Sequence, residues 1–232
     1  MVRRARPKRR RTPSGFEWRF PEVSKLPLDE DLVATGADLQ PCTLLSAYAS
    51  GYFPMPISRH RIGWFHPNPR GILPVDGMRV SKTLRRSIRR YTTTIDTAFD
   101  EVIHACADPS RPGSWIDEPI IEGYLELHRL GHAHSVEVWD DDGLAGGLYG
   151  LSIGRFWSGE SMFHRRTDAS KVALVRLVEV LDEVKALHDV QWVTAHMEKM
   201  GAVPISRMEY SATLQEAITE PAPIEFSIPS DM

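Results

Sequence analysis

Cysteine is scarce in this chain: Cys42 and Cys106 are the two in 232 residues. Two thiols supply neither a disulfide framework nor a zinc site, which takes four ligands. Such usage fits a reducing compartment, so a cytoplasmic protein is expected. Long apolar runs are also missing. Nothing approaches the roughly 20 residues needed to cross a bilayer, which argues against a membrane protein. The opening MVRRARPKRRRT is basic, but no apolar stretch of the kind found in a secretory signal follows it. Internal repeats are absent. What is present is ordinary for a soluble globular protein, with 42% hydrophobic and 25% charged residues. The length suits one large domain, or one domain with a smaller appendage.

Charge is unevenly placed. Residues 1–12 carry seven Arg or Lys and no acid, and removing those charges from the net −3 leaves −10 for the rest. Detached like charges usually form a solvated, disordered tail. The same arm would also raise encounter rates with a polyanion such as nucleic acid. Residues 13–30 read as an extended lead-in, and 38–52 as a short helix with Leu44, Leu45 and Tyr48 at helical spacing and Gly51 as a stop. The next 22 residues, 53–74, contain five prolines, which predicts a clasp of loops and short strands joining two lobes. SKTLRRSIRRY (81–91) predicts a basic helix that docks through Leu84 and Ile88 while Lys82, Arg85, Arg86, Arg89 and Arg90 fan outward.

Further on, YTTTID (91–96) predicts a strand. Thr97 is placed to cap a helix bearing Phe99, Val102, Ile103 and Cys106, and a second helix is expected near 117–130. HSVEVW, a DDDG turn, LAGGLYGLSI and FWSGES predict an antiparallel meander. A helix capped by Asp168 then buries Leu174, Leu177, Val178, Leu181 and Val184. A strand over 189–197, a helix near 211–218 and a loose tail from Pro221 complete the chain. Strands followed by a helix and another strand define an α+β fold.

The stretch SGESMF places Glu160 and Ser161 where a strand is expected to end at Gly159, just before a helix. A serine nucleophile elbow wants G-x-S-x-G, and here the second glycine is missing. The meander and helix resemble a GNAT acetyltransferase core. Yet HRRTDASKV has no glycine for a pyrophosphate turn, and Asp168 adds negative charge there. His132 and His134 would share a strand face without the further ligands a metal needs, so a packed pair is the expectation. Trp64, Trp115 and Trp157 read mainly as core, although aromatics beside a basic helix also suit base stacking.

PNPRGIL (67–73), CADPSRPGSWI (106–116), LHRLGHAHSVEVW (127–139), GGLYG (146–150), SGESMFHRRTDASKVAL (158–174) and DVQWVTAHMEKMGAVPISR (189–207) together resemble the leucyl/phenylalanyl-tRNA–protein transferases. The likeness runs from about Leu39 past Arg207, some three quarters of the chain. It implies a GNAT-like mixed-sheet domain at 73–220 with a small N-terminal α/β domain at 21–72, flanked by a basic arm at 1–20 and a loose tail at 221–232. It implies transfer of Leu or Phe, with Met as a further donor, from aminoacyl-tRNA to proteins with N-terminal Arg or Lys, which marks them for degradation. The implied enzyme is a cytoplasmic monomer needing no cofactor or metal. By the same resemblance Gln191, Asp189 and Glu160 carry the chemistry. Leu148, Trp157, Gly159 and Leu174 belong to the aminoacyl pocket, Trp115 lies near the terminal adenosine, and Met55 stands where the family often has Trp. The basic face Lys82, Arg85, Arg86, Arg89 and Arg90 is expected to hold tRNA phosphates. WFHPNPR departs from the family string at Phe65, His66 and Asn68. An acyl-CoA-dependent acetyltransferase and a non-catalytic RNA-binding module are the competing readings.

Overall fold

The computed structural model describes residues 18–59, 61–111, 113–219 and 224–226. Most of the basic arm and of the C-terminal tail therefore lies outside the described residues. After a single 3-10 turn, the chain forms a small three-stranded antiparallel sheet in the order β1-β3-β2, from β1 (Leu32–Thr35), β2 (Phe53–Ser58) and β3 (Arg61–Phe65). Helix α1 (Pro41–Ala49) sits between β1 and β2, with Pro41 starting it and Gly51, at φ +85°, turning the chain out of it. The proline-rich clasp is thus mostly strand, and β4 (Arg70–Ile72) leaves the small sheet altogether to join the large one.

The large domain follows in chain order. Its first half comprises α2 (Lys82–Ile88), β5 (Thr92–Ile95), α3 (Phe99–Ala107), α4 (Glu118–Arg129), β6 (Ala133–Asp140) and β7 (Gly143–Ile153). Its second half comprises β8 (Phe156–His164), α5 (Ala169–Glu183), β9 (Leu187–Gln191), α6 (Ala195–Met200), β10 (Val203–Ile205) and α7 (Arg207–Thr219). The seven-stranded sheet has the order β10-β4-β9-β8-β7-β6-β5 and is antiparallel except where β8 runs parallel to β9. This is the mixed α+β fold with a mixed sheet expected from the sequence. Alternate residues of its strands feed two cores. Tyr149, Leu151 and Phe156 pack with α1, α3 and α4, whereas Val136, Leu148 and Trp157 pack under α5. Two glycines allow that closeness. A Cβ on Gly146 would lie 2.7 Å from the Cβ of Ala169, and one on Gly150 would lie 2.2 Å from the Ser158 carbonyl.

Several local expectations are corrected. Thr97 does not cap α3, whose N-cap position is Ala98; the carboxylate of Glu137 instead accepts the N–H groups of Thr97 and Ala98, each at 3.4 Å. Asp168 occupies the N-cap position of α5 but is left-handed at φ +65°, and its carboxylate accepts from Ser87 and Lys171 rather than from the helix backbone. The strand expected over 189–197 ends at Gln191. Thr194 then accepts the Met197 N–H and starts α6, so the TAHM segment is helical. His132 precedes β6, while His134 lies on it and bonds Asp96 at 2.6 Å, so the two are no strand-face pair. The tail is not loose where described. Ile224 is buried and donates its N–H to the Gly154 carbonyl, and Phe226 stacks on His134 with ring centroids 3.8 Å apart.

Candidate active site

Strands β8 and β9 pair over Phe156–Ser158 and Leu187–Asp189, then part. The wedge they open is a cavity of about 210 Å³ lined by Leu148, Met162, Leu174, Leu177 and Val190, with Gly159, Glu160, His188 and Gln191 at its polar side. A parting pair of parallel strands leaves backbone and alternate side chains facing an open space, which makes it a natural substrate slot.

Glu160 owes its position to a β-bulge. Tyr149 pairs with Ser161 and Gly150 with Gly159, so Glu160 is the extra residue of β8. The strand therefore runs through GES to His164 instead of ending at Gly159. The displaced carboxylate meets α1 and α4. Tyr48 donates its hydroxyl to Glu160 Oε1 at 2.7 Å, Ser158 donates to the same oxygen at 2.9 Å, and the Tyr48 and Tyr124 hydroxyls share a short hydrogen bond. Burial pushes the Glu160 carboxyl up to about 7, against the lowering effect of the Tyr48 and Ser158 hydrogen bonds.

Gln191 joins this network from β9. Its backbone is left-handed at φ +57°, which swings its side chain back over the strand so that Nε2 donates to Ser158 Oγ at 2.8 Å. Because the Ser158 hydrogen is spent on Glu160, Ser158 must accept from Gln191, and this fixes which end of the amide it meets. The Gln191 carbonyl is thereby left for the pocket.

Asp189 lies beneath, fully buried. Arg70 grips it with two bonds, Nε to Oδ1 at 2.8 Å and Nη2 to Oδ2 at 2.5 Å, and Tyr210 donates to Oδ2 at 3.0 Å. Asp189 Oδ1 accepts the Gln191 backbone N–H at 2.9 Å and so holds the turn that aims the side chain.

Of the residues marked from the sequence, Leu148, Gly159, Glu160, Leu174 and Gln191 meet in this one cavity. Trp157 is wholly buried behind it, Trp115 packs at the edge of the core around α3 and α4, and Met55 stands opposite Gly63 in the small sheet; none of the three lines the cavity. Lys82, Arg85, Arg86, Arg89 and Arg90 are exposed on and just after α2. Ser158, Tyr48, Tyr124 and Arg70 were missed. Ser158 carried a signal, since it precedes Glu160 by two on a strand.

A slot between splayed strands, floored by apolar side chains and edged by a carboxylate and an amide, suits an acyl-transferring enzyme. A family model described as leucyl/phenylalanyl-tRNA protein transferase matches residues 72–215, and the model for that family's N-terminal domain matches 37–68. Similar curated proteins, each named leucyl/phenylalanyl-tRNA–protein transferase, come from three bacteria. That of Paramagnetospirillum magneticum is 51% identical over 77% of this chain and 89% of its own length. Those of Rhodopseudomonas palustris (strain BisB18) and Aromatoleum aromaticum are 47% identical over 80% and 84%, and 46% identical over 90% and 91%. The chain belongs to the leucyl/phenylalanyl-tRNA–protein transferase family, whose members are aminoacyltransferases. Among solved structures, a GCN5-related N-acetyltransferase from Kribbella flavida is 11% identical, covers 70% of this chain and 60% of its own, and aligns with a TM-score of 0.40. L-PGS from Bacillus licheniformis is 10% identical over 81% and 73%, with a TM-score of 0.39. Both are too distant to bear on activity.

Proposed function

We propose that this protein moves Leu or Phe, with Met as a further donor, from aminoacyl-tRNA to the N-terminal Arg or Lys of acceptor proteins in the cytoplasm, acting as a monomer and marking them for degradation. The observation that carries this reading is the Gln191–Ser158–Glu160 chain of hydrogen bonds set in the mouth of an apolar cavity. The donor side chain enters between Leu148 and Leu174. The donor is already an activated ester, so positioning is the main demand.

The α-amine of the acceptor attacks the ester carbonyl carbon. A C–N bond forms, the C–O bond to the tRNA ribose breaks, and the proton lost by the amine passes to the departing ribose oxygen. The Gln191 carbonyl accepts an N–H of the attacking amine and aims its lone pair. Glu160, close to half ionised near pH 7, takes the proton and returns it to the ribose oxygen, a service worth about 10²–10⁴ in rate. Asp189 touches neither substrate. With Arg70 it fixes the left-handed Gln191.

Transfer RNA lies along the exposed cations of α2, and the basic arm adds to that attraction. Acyl-CoA is a poorer fit. The start of α5 offers no glycine turn for a pyrophosphate, and the Asp168 carboxylate sits there. Incubating the protein with labelled Leu-tRNA and peptides beginning with Arg, Lys or Ala tests the proposal. Label on the Arg and Lys peptides alone is expected; equal labelling of the Ala peptide, or labelling by acetyl-CoA without tRNA, overturns it.

A further inference from the structure

Around the cavity stands a set of basic side chains, drawn from three elements, that the reaction above does not use. His196 lines the cavity from the start of α6. Lys199, three residues on, shares its helical face. Lys171 lies in the first turn of α5, three residues before Leu174 of the cavity floor and on the same face. His164 ends β8 two residues past Met162, which also lines the cavity, so strand alternation turns both the same way. Its ladder partner, Gly146, packs against Ala169, and this brings the end of β8 to the start of α5.

Burial lowers His196 below the ordinary imidazole range, and the charges of Lys171, His164 and Lys199 lower it further, so the four share one field. The acid beside them is already engaged: Asp168 accepts from Ser87 at 2.9 Å and from Lys171 at 2.7 Å. Glu198 lies two residues from His196, off its helical face. His164, His196 and Lys199 are exposed and make no ion pair among the described residues. Ser87 belongs to α2, and Arg90 donates to it at 3.2 Å. A basic track therefore runs from α2 past the start of α5 to the cavity.

Such a track attracts an anion. An acceptor that begins with Arg or Lys is repelled there, whereas the donor is not. The ribose that carries its ester is joined, a few bonds away, to the last phosphodiester of a single strand. With the aminoacyl side chain in the cavity, that phosphate must lie just outside.

We infer that His164, Lys171, His196 and Lys199 form a phosphate subsite for the last phosphodiester of the donor, whose single-stranded end crosses the start of α5 to reach the cations of α2. The inference rests on the donor reading made above. It divides the work: α2 holds the body of the polyanion, and the rim places its end.

The test uses the full chain, an Arg-starting peptide and three leucyl donors. These are leucyl-adenosine, which has no phosphate, leucyl-cytidylyl-adenosine, which has one, and Leu-tRNA. Lys199→Gln, alone and combined with His164→Gln, changes exposed side chains, and thermal melting confirms that each variant is folded. Each substitution is expected to raise KM for the dinucleotide and for Leu-tRNA about twofold to fivefold, with kcat retained and transfer from leucyl-adenosine unchanged. Arg86→Gln on α2 is expected to raise KM for Leu-tRNA alone. The inference is overturned if the rim variants leave all three donors unchanged or weaken all three equally. It is also overturned if Arg86→Gln weakens the dinucleotide as much as Lys199→Gln does. If the wild-type protein transfers leucine from none of the three, the donor reading itself fails and the subsite with it.

Discussion

Glu160 is one carboxylate among tyrosines, and its environment sets the pH response of the site. Burial holds its carboxyl at about 7, so the fraction ionised rises steeply between pH 6 and 8. The attacking amine loses its own proton at about 7.7–8.0. Transfer is therefore expected to climb with pH through two overlapping steps, measured as kcat/KM against pH. Glu160→Gln removes the lower step, keeps the upper one and slows transfer by about 10²–10⁴. A profile identical in shape to that of the wild type would falsify its role as proton carrier. Gln191→Ala leaves the ester free to drift from the amine; a loss of about 10² in kcat with tRNA affinity retained is expected from single-turnover rates and filter binding.

Among the elements, β4 and β9 are joined by more than their ladder. Arg70 comes from the proline-rich clasp and Asp189 from the strand after α5, and both side chains are fully buried. Arg70 also lies over the rings of Phe53 and Tyr210, at 4.8 and 4.4 Å from their centroids, so it connects both domains. Arg70→Met strands a carboxylate without its cation and is expected to cost about 3–5 kcal/mol, read from urea unfolding. Asp189→Asn added to it should cost little more, because the charge left bare is then gone. The long periodic elements were legible from spacing, namely the hairpin of β6 and β7 and helices α4 and α5, whereas Leu148 and Leu174 were marked as pocket residues by the family resemblance. The bulge was not legible, because Gly159 reads as a strand stop and only the partner strand reveals that Glu160 is extra. Nor could Tyr48 and Tyr124 be recognised as polar partners. Each sits at helical core spacing, and their meeting at Glu160 depends on how α1 and α4 cross. Thr194 did carry a capping signal, which the apolar alternation of Val190 and Trp192 outweighed.

At the scale of the whole molecule, charge and proton balance decide behaviour. Lys82, Arg85, Arg86 and Arg89 make no ion pair among the described residues, so their field is free for phosphates. Charge reversal at Arg85, Arg86 and Arg89 is expected to weaken tRNA binding and to flatten its log–log salt slope by about 0.7–0.9 for each phosphate no longer neutralised. Stability should depend on pH in two stages. Burial holds His66 at about 3 and His188 at about 4, whereas unfolded imidazole takes a proton at about 6.5. As pH falls below 6.5, the unfolded chain gains two protons that the native state refuses, which destabilises the fold. Glu160 acts oppositely between about 7 and about 4.5, since there the native state keeps a proton that the unfolded chain has lost. The net loss is then about one proton, or about 1.4 kcal/mol per pH unit, down to pH 4.5, and steeper below. His66→Leu should flatten the first stage in a melting series.

The carboxyl-terminal segment returns to the body at a telling place. Phe226 stands 5.2 Å, centroid to centroid, from Trp157, the indole buried behind the cavity proposed to take the donor side chain. Purification handles and fluorescent fusions are habitually hung on that end of a protein. Here such an attachment would pull on a brace behind the substrate, so apparent donor preference becomes a property of the handle as well as of the enzyme.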